Sequence, residues 1–154
     1  MREDLRVPTV PVTVEVLLDT AETLKGQVFL PAMASRHSGQ PRPDEWINQP
    51  TGFFPFLVEG GKSAVILNKA TVAAILFPLR PEFALEGSTG FMSSVEVTWA
   101  GRVAEGRLLI DMPAERTRVL DYLNSTDQFI PVWTDNVYYL IRRDCITRII
   151  EREG

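Results

Sequence analysis

The sequence has little of what metal binding and catalysis usually require. It contains one cysteine, Cys145, and one histidine, His37, among 154 residues. A single cysteine excludes an internal disulfide, and one histidine with one cysteine cannot build a His/Cys metal cluster. A Ser-His-Asp triad would need His37, but no nucleophile-elbow motif accompanies it. The composition therefore favours a protein without a metal, a cofactor or a catalytic centre.

Long hydrophobic runs and an excess of basic charge are also missing. No apolar stretch approaches the length of about 20 residues that a membrane helix needs, and the N-terminus lacks the apolar region of a signal peptide. The formal charge is −4, and residues 1–82 carry 8 basic and 9 acidic groups while residues 83–154 carry 8 and 11. Neither half has the basic excess typical of a nucleic-acid-binding domain. We therefore expect a cytoplasmic protein with no membrane partner.

What the sequence does contain is a pattern that occurs twice. The segment Asn48–Phe56 reappears as Asn124–Val132 with the same internal spacing. Three residues keep both identity and position in the two segments: Asn48, Phe53 and Pro55 in the first, and Asn124, Phe129 and Pro131 in the second. This agreement predicts an internal duplication.

The match extends along stretches in which apolar and polar residues alternate, as in half-buried strands. The paired segments are Val14–Val16 with Val95–Val97, Leu24–Leu30 with Ala104–Ile110, and Ala64–Ile75 with Tyr138–Ile149. Each copy is predicted to form five short strands, with a helix or loop between the second and the third. We place the first copy at residues 1–77, a Pro/Gly-containing linker at 78–93 and the second copy at 94–154.

The insertion between the second and third strands is predicted to be helical in the second copy. Pro113–Asn124 has proline near its start, glutamate in its first turn and asparagine at its end. We expect Val119, Leu120 and Leu123 to share its buried face. The prolines in Ser38–Pro43 predict a shorter helix or a loop in the first copy.

The third strand of each copy contains a Phe-x-Pro motif. Because successive strand residues point to opposite faces, Phe54 and Phe56 should separate from Phe53. Pro55 and Pro131 predict an edge strand or a bulge, since proline cannot donate to a sheet ladder. Such a strand could bind a partner or form the contact between the copies.

Polar residues recur in the same order just before this motif. Two interpretations stay open: local arginine–acid pairs with capping asparagines, or a duplicated binding site. The candidate binding residues, together with the arginine pair that precedes the last strand, are Arg42, Glu45, Asn48, Arg118, Asp121, Asn124, Arg142 and Arg143.

The segments Asp121-Tyr-Leu-Asn124 and Ile141-Arg142 resemble two motifs of the Sm-like proteins, which are small β-barrels related in shape to SH3-like domains. Arg143 stands where the Sm motif has glycine, and the first copy has Glu45-Trp-Ile-Asn48 instead. Arg-x-x-Asp-x-Leu-Asn and Phe-x-Pro segments are also similar to those of uncharacterised bacterial proteins. The resemblance implies a mainly β fold of two five-stranded Sm-like or SH3-like barrels, each with a short helix or loop insertion.

We favour a non-catalytic binding or assembly protein with protein partners. The first alternative is an RNA-binding regulator, which the Sm-like motifs imply. The second is an enzyme or small-molecule sensor with a pocket between the copies that holds Arg42 or Arg118. Homo-oligomer formation is left open by the sequence.

Overall fold

The computed structural model describes residues 8–31, 42–80, 91–110, 119–125 and 128–152. These residues form ten strands and two short helices, which confirms the predicted mainly β class. In chain order the elements are β1 (Thr9–Leu18), β2 (Thr23–Pro31), α1 (Pro43–Ile47), β3 (Phe53–Val58), β4 (Ala64–Asn68), β5 (Val72–Pro78), β6 (Phe91–Trp99), β7 (Arg102–Ile110), α2 (Val119–Ser125), β8 (Phe129–Trp133), β9 (Val137–Arg142) and β10 (Ile146–Arg152).

The ten strands form one antiparallel sheet in the order β10-β6-β7-β8-β9-β5-β1-β2-β3-β4. The second half, β6 to β10, and the first half, β1 to β5, are arranged in the same succession. β9 pairs with β5 from Ala74–Ile141 to Pro78–Val137, and this pairing is the junction between the halves. The sheet is continuous across the junction, and the division into two barrels and the duplication stay predictions. Strands β5 and β6 extend into both ends of the predicted linker, whose residues 81–90 lie outside the described part.

The last strand of each half departs from regular pairing at the same place. β5 pairs with β1 and skips Ala73, whereas β10 pairs with β6 and skips Thr147. Beyond the skipped residue, Leu76 and Ile150 lie opposite Glu15 of β1 and Glu96 of β6. A bulge increases the local twist and bend of a strand. The two halves therefore agree in pairing geometry as well as in strand order.

Two hydrophobic clusters are built from alternate residues of the central strands. β8 contributes Phe129 and Trp133 to one cluster and Ile130 and Val132 to the other, because successive side chains point to opposite faces. The first cluster also contains Phe56 and other residues of the first half. Both faces of β8 are therefore covered, one of them by the other half of the molecule.

Two glycines lie where consecutive strands approach most closely. A Cβ atom on Gly26 of β2 would meet the backbone oxygen of Leu57, and one on Gly106 of β7 would meet the backbone oxygen of Trp133. Gly26 pairs with Val58 of β3, and Gly106 directly precedes Arg107, which pairs with Trp133 of β8. Glycine leaves the space that this close backbone approach requires.

Both helices follow the second strand of their half, and α1 is the shorter, as predicted. Residues 111–118 of the predicted second helix lie outside the described part. Val119 is buried and Leu123 packs on the second cluster, but Leu120 is 64 % exposed. The expected buried position of Leu120 is therefore wrong, because each residue turns the side chain by about 100° around a helix. Within the described residues, neither helix has the length or apolar character that crossing a membrane requires.

The side-chain alternation of β3 confirms the prediction for its aromatic residues. Phe54 and Phe56 are buried, whereas Phe53 is 58 % exposed. The separation onto two faces depends only on the two-residue period of a strand. Which face is buried depends on the elements that cover it.

The expected edge position of the Phe-x-Pro strands is wrong, because β3 and β8 each lie between two other strands. Proline is tolerated because only the C-terminal residues of these strands pair with the preceding strand. β3 pairs with β2 only at Leu57 and Val58, and β8 pairs with β7 only at Trp133. Pro55 and Pro131 therefore lie in segments that need no ladder donor on that side.

Candidate functional site

Three predicted site residues meet beside the junction. The carboxylate of Glu45 accepts a hydrogen bond from the backbone N–H of Arg42 at 3.3 Å, and Arg42 Nε lies 3.9 Å from the same oxygen. Asn48 ends α1 and faces β8 of the second half. The arginine–acid contact expected in the first half is therefore present, and its setting is the contact surface between the halves.

Asn48 binds the backbone of β8 with both ends of its side-chain amide. Its Nδ2 donates to the carbonyl oxygen of Phe129 at 2.9 Å, and the N–H of Phe129 donates to its Oδ1 at 2.8 Å. β8 pairs with β7 only at Trp133, so no strand of the described chain supplies these bonds at Phe129. Asn48 therefore takes the place of a neighbouring strand and satisfies two polar groups of a buried residue.

Asp44 connects Arg42 to the second half, although no pattern in the sequence pointed to it. Its Oδ2 accepts from Arg42 Nη2 at 3.1 Å, and its Oδ1 accepts from the hydroxyl of Tyr138 at 2.8 Å. The guanidinium of Arg42 also lies 5.9 Å from the centre of the Trp133 ring. Burial raises the pKa of the Asp44 carboxyl, although Arg42 and the Tyr138 hydroxyl act in the opposite direction. These groups form a desolvated polar link between the halves.

Replacing Tyr138 by phenylalanine tests this link. Burial raises the pKa of the Tyr138 hydroxyl well above its ordinary value, and Asp44 adds to the shift. The folded protein then keeps a proton that the unfolded chain releases above about pH 10, so this contribution to stability is complete below that pH and is lost above it. We expect Tyr138→Phe to lower the free energy of unfolding by about 1–2 kcal/mol at pH 7. In urea unfolding, the variant should also lose less stability above about pH 10.

The control for this prediction is Tyr139→Phe, which removes a hydroxyl from the next residue of β9. Tyr139 belongs to the other hydrophobic cluster, so its substitution leaves the bond to Asp44 in place. We expect it to change the free energy of unfolding at pH 7 by less than about 0.5 kcal/mol. Equal pH dependence in the wild type and Tyr138→Phe would contradict the assigned role of Tyr138.

The guanidinium of Arg142 is bound by the first half of the chain. Its Nη1 donates to the carbonyl oxygens of Ala70 and Val72, both at 2.7 Å. Its Nη2 donates to the two carboxylate oxygens of Asp19 at 3.1 and 3.2 Å. Arg142 therefore fixes the end of β9 against β5.

Three of the remaining predicted residues, Asp121, Asn124 and Arg143, lie on or beside α2. Arg143 Nη1 lies 3.5 Å from the carbonyl oxygen of Leu123, and a cavity of about 450 Å³ is lined in part by Asn124 and Arg143. Asp121 is half-buried, and Asn124 is exposed. Arg118 lies outside the described residues, as does its predicted contact with Asp121.

Lys69 is a buried cation in the short turn between β4 and β5, and the sequence did not mark it as functional. Its Nζ donates to the carbonyl oxygens of Ile47 and Gln49 at 2.8 and 3.1 Å. It also donates to Thr51 Oγ1 at 3.1 Å. Burial lowers the pKa of Lys69. These bonds hold the end of α1 and the loop after it, and so fix the position of Asn48.

The two outer strands of the sheet carry exposed apolar residues that the sequence did not mark as functional. β4 and β10 end the sheet. Val65 and Ile66 of β4 are 42 % and 74 % exposed, and Ile150 of β10 is 41 % exposed. Unpaired strand edges with apolar side chains are typical of sites to which another strand adds. The sequence signal was the apolar run Ala64–Leu67, which predicts a strand but not its place in the sheet.

A separate cavity of about 690 Å³ lies against β1, β2, β3 and β5. Its lining includes apolar Leu57 and Phe77 together with charged Glu15 and Lys25. Arg42, which the sequence suggested for a pocket between the halves, is not among the lining residues. The volume lies in the range of small-molecule sites.

Metal and thiol chemistry receive no support from the described residues. They contain no group of three or more His, Cys, Asp or Glu residues placed to hold a metal ion. Burial raises the pKa of the Cys145 thiol, which disfavours the reactive thiolate.

Comparisons with protein-family models, with curated proteins and with solved structures find no similar protein. The geometry of the chain is therefore the basis for its proposed function.

Proposed function

We propose that this chain is a non-catalytic assembly protein that binds protein partners through the outer strands of its sheet. The observation that carries the proposal is the exposure of Val65, Ile66 and Ile150 on β4 and β10. A strand at the end of a sheet presents unpaired backbone donors and acceptors, which a partner strand can satisfy. Apolar side chains beside them add the burial that makes such pairing stable.

The bonding of the charged residues near the junction supports a structural role for them. Arg42, Asp44, Lys69 and Arg142 all bind groups of their own chain. Asn48 likewise binds backbone atoms of the second half. Asn48, and Arg42 by way of Asp44, therefore link the halves, which favours binding at the outer strands over a ligand site at these residues.

We also infer that the chain is a tandem duplication of an Sm-like or SH3-like barrel unit. The shared strand succession supports this inference, as do the skipped residues Ala73 and Thr147. Gly26 and Gly106 add support because each is approached closely by the backbone of the following strand. Matching sequence segments would produce matching strand contacts if both halves descend from one unit.

The substitution Ile66→Lys tests binding at β4. A charge at this exposed edge position would be desolvated by an added strand, so we expect partner capture to fall about tenfold or more. The immobilised wild type and variant would be exposed to lysate of the source cells, and each retained protein would be quantified by mass spectrometry. Urea unfolding would establish that both preparations are equally folded.

The matched control is Val103→Lys, which adds the same charge to β7. Val103 is 58 % exposed, but it lies on β7, which is placed between β6 and β8 and is neither of the two outer strands. We expect this variant to retain the wild-type set of proteins. Equal retention by the wild type and Ile66→Lys would sink the proposed function.

Small-molecule binding is the second candidate, and the cavity of about 690 Å³ is the observation that favours it. A bound ligand would raise the thermal unfolding midpoint in a metabolite screen. Gln27→Trp would place a large side chain at the lining and should abolish that increase. A screen without any stabilising compound would count against this candidate and leave the assembly proposal unaffected.

A further inference from the structure

We propose that the partner is a second copy of this chain, with β4 of one copy paired to β10 of the next. The inference rests on the proposed function, because it names the occupant of the same two outer strands. The contact that carries it is the pairing of β9 with β5 inside the chain. That junction supplies a template for both the strands and the register of the contact between copies.

Among the described strands, each chain has one fourth strand and one fifth strand that the junction does not use. β9 is the fourth strand of its half and β5 is the fifth strand of the other half. The corresponding fourth and fifth strands are β4 and β10, which are the two ends of the sheet. Because the two ends differ, a contact between them is head-to-tail and can continue into a ring or a filament.

The internal register assigns the pairs between copies. Leu76 of β5 lies opposite Tyr139 of β9. The same strand positions are occupied by Ile150 and Val65, which are both large exposed apolar residues. By the same register the neighbouring pairs are Arg148 with Leu67, Ile149 with Ile66, and Glu151 with Ala64. These pairs place no like charges opposite each other.

A second contact of the junction can also be repeated between copies. Asn48 binds both backbone groups of Phe129, and the corresponding residues are Asn124 and Phe53. Asn124 is exposed, and Phe53 is 58 % exposed. β3 does not pair with β2 at Phe53, so the edge of its backbone resembles that of Phe129. Asn124 of one copy can therefore bind the Phe53 backbone of the next.

At the positions that correspond to one polar pair of the junction, both residues are apolar. Asp44 accepts a hydrogen bond from Tyr138 within the chain. Leu120 and Ala64 occupy the matching positions, and both are exposed. Replacing only one member would leave a desolvated polar group without its partner. Leu120 and Ala64 are both apolar, so a second contact with the same geometry would leave no polar side chain unpaired at these positions.

At the positions that correspond to an ion pair of the junction, both residues are uncharged. Arg142 binds Asp19 across the junction. The corresponding residues are Asn68 and Ala100, so both charges are absent from the contact between copies. In both cases the two members of a pair that are distant in sequence differ together from their counterparts at the junction.

The exposed apolar residues are concentrated at these contacts. The large hydrophobic residues exposed on the described part of the chain number seven, of which Leu79 and Val103 lie elsewhere. The five others belong to the proposed contact: Phe53, Val65, Ile66, Leu120 and Ile150. Pairing of copies would bury them together, which strengthens the choice of a second copy over an unrelated partner.

Light scattering on single and mixed variants tests the head-to-tail arrangement. The wild type should have a mass of two or more chains, and Ile66→Lys and Ile150→Lys should each be monomeric. Because each variant keeps the edge that the other has lost, an equimolar mixture should form a dimer with one chain of each. Val103→Lys should retain the wild-type mass, and urea unfolding should show that every variant is folded.

Two results would overturn the proposal. A wild type that stays monomeric at its highest soluble concentration has no contact between copies. An Ile150→Lys variant that still forms dimers by itself would indicate a symmetric pairing of two β4 strands. If the chain is monomeric while Ile66→Lys still loses a captured protein, only the identity of the partner is wrong and the proposed function survives.

Cysteine cross-linking tests the register. In a Cys145→Ser background, the substitutions Val65→Cys and Ile150→Cys place thiols on residues that should lie opposite each other in neighbouring copies. Oxidation should link chains through disulfides, since directly opposed strand residues meet the required Cα separation. Val65→Cys with Glu151→Cys is the control, because a shift of one residue turns the side chain to the other face. Equal cross-linking of both pairs would contradict the register.

Discussion

Alanine at Gly26 or Gly106 lowers the free energy of unfolding by about 3 kcal/mol or more, the largest effect that we expect from a single methyl group here. The added Cβ would meet the backbone oxygen of Leu57 or Trp133, which cannot rotate away as a side-chain end could. To admit it, β3 or β8 must separate from the strand before it. Urea unfolding of each variant measures the loss.

The control is Gly52→Ala, because a Cβ atom at Gly52 meets nothing within 4 Å. We expect its free energy of unfolding to lie within about 0.5 kcal/mol of the wild type. Similar stability of the Gly26, Gly52 and Gly106 variants would show that close strand approach does not limit these positions. Comparable losses at Gly26 and Gly106 would support the duplication, since both arise from the same contact.

Asn48→Ala is expected to lower the free energy of unfolding by about 3 kcal/mol. The substitution removes two hydrogen bonds, and the N–H and carbonyl oxygen of Phe129 lose the partners that no strand replaces. An unsatisfied buried polar group costs about 1–3 kcal/mol, so two of them account for the estimate. Urea unfolding measures this loss, and a two-step transition would indicate that the halves have separated before unfolding.

Asn124→Ala is the matched comparison in the second half. Asn124 is exposed, so its loss should leave the stability of the isolated chain within about 0.5 kcal/mol of the wild type. The same variant should weaken association between copies, which light scattering over a dilution series measures. Equal losses of stability in Asn48→Ala and Asn124→Ala would contradict the different roles assigned to them.

The repeated polar positions serve different contacts because their surroundings differ. Asn48 faces a strand of the same chain, whereas Asn124 is exposed. Arg142 reaches backbone oxygens of the first half, and Asn68 instead accepts a hydrogen bond from the N–H of Ala70 two residues away. Residues at matching positions therefore take different roles when only one of them lies at the internal junction.

Local patterns in the sequence predicted the elements of the fold but not the contacts that link its halves. The alternation in β3 separated Phe54 and Phe56 from Phe53, and the prolines in Ser38–Pro43 predicted that α1 is short. The bond between Asp44 and Tyr138 spans 94 positions and joins different types of element. No periodicity connects such residues, so they could not be selected from the sequence.

The sequence by itself determined the strands, the alternation of their side chains between two faces, and the pattern of residues that occurs twice. These features depend on residues a few positions apart. Tertiary structure alone decided that β9 pairs with β5 and that β4 and β10 are left at the ends of the sheet. This pairing also decided that Phe129 is buried and Phe53 is exposed, although each is the first residue of its Phe-x-Pro motif. Burial depends on which distant strand covers a residue, and that information is not contained in the local pattern.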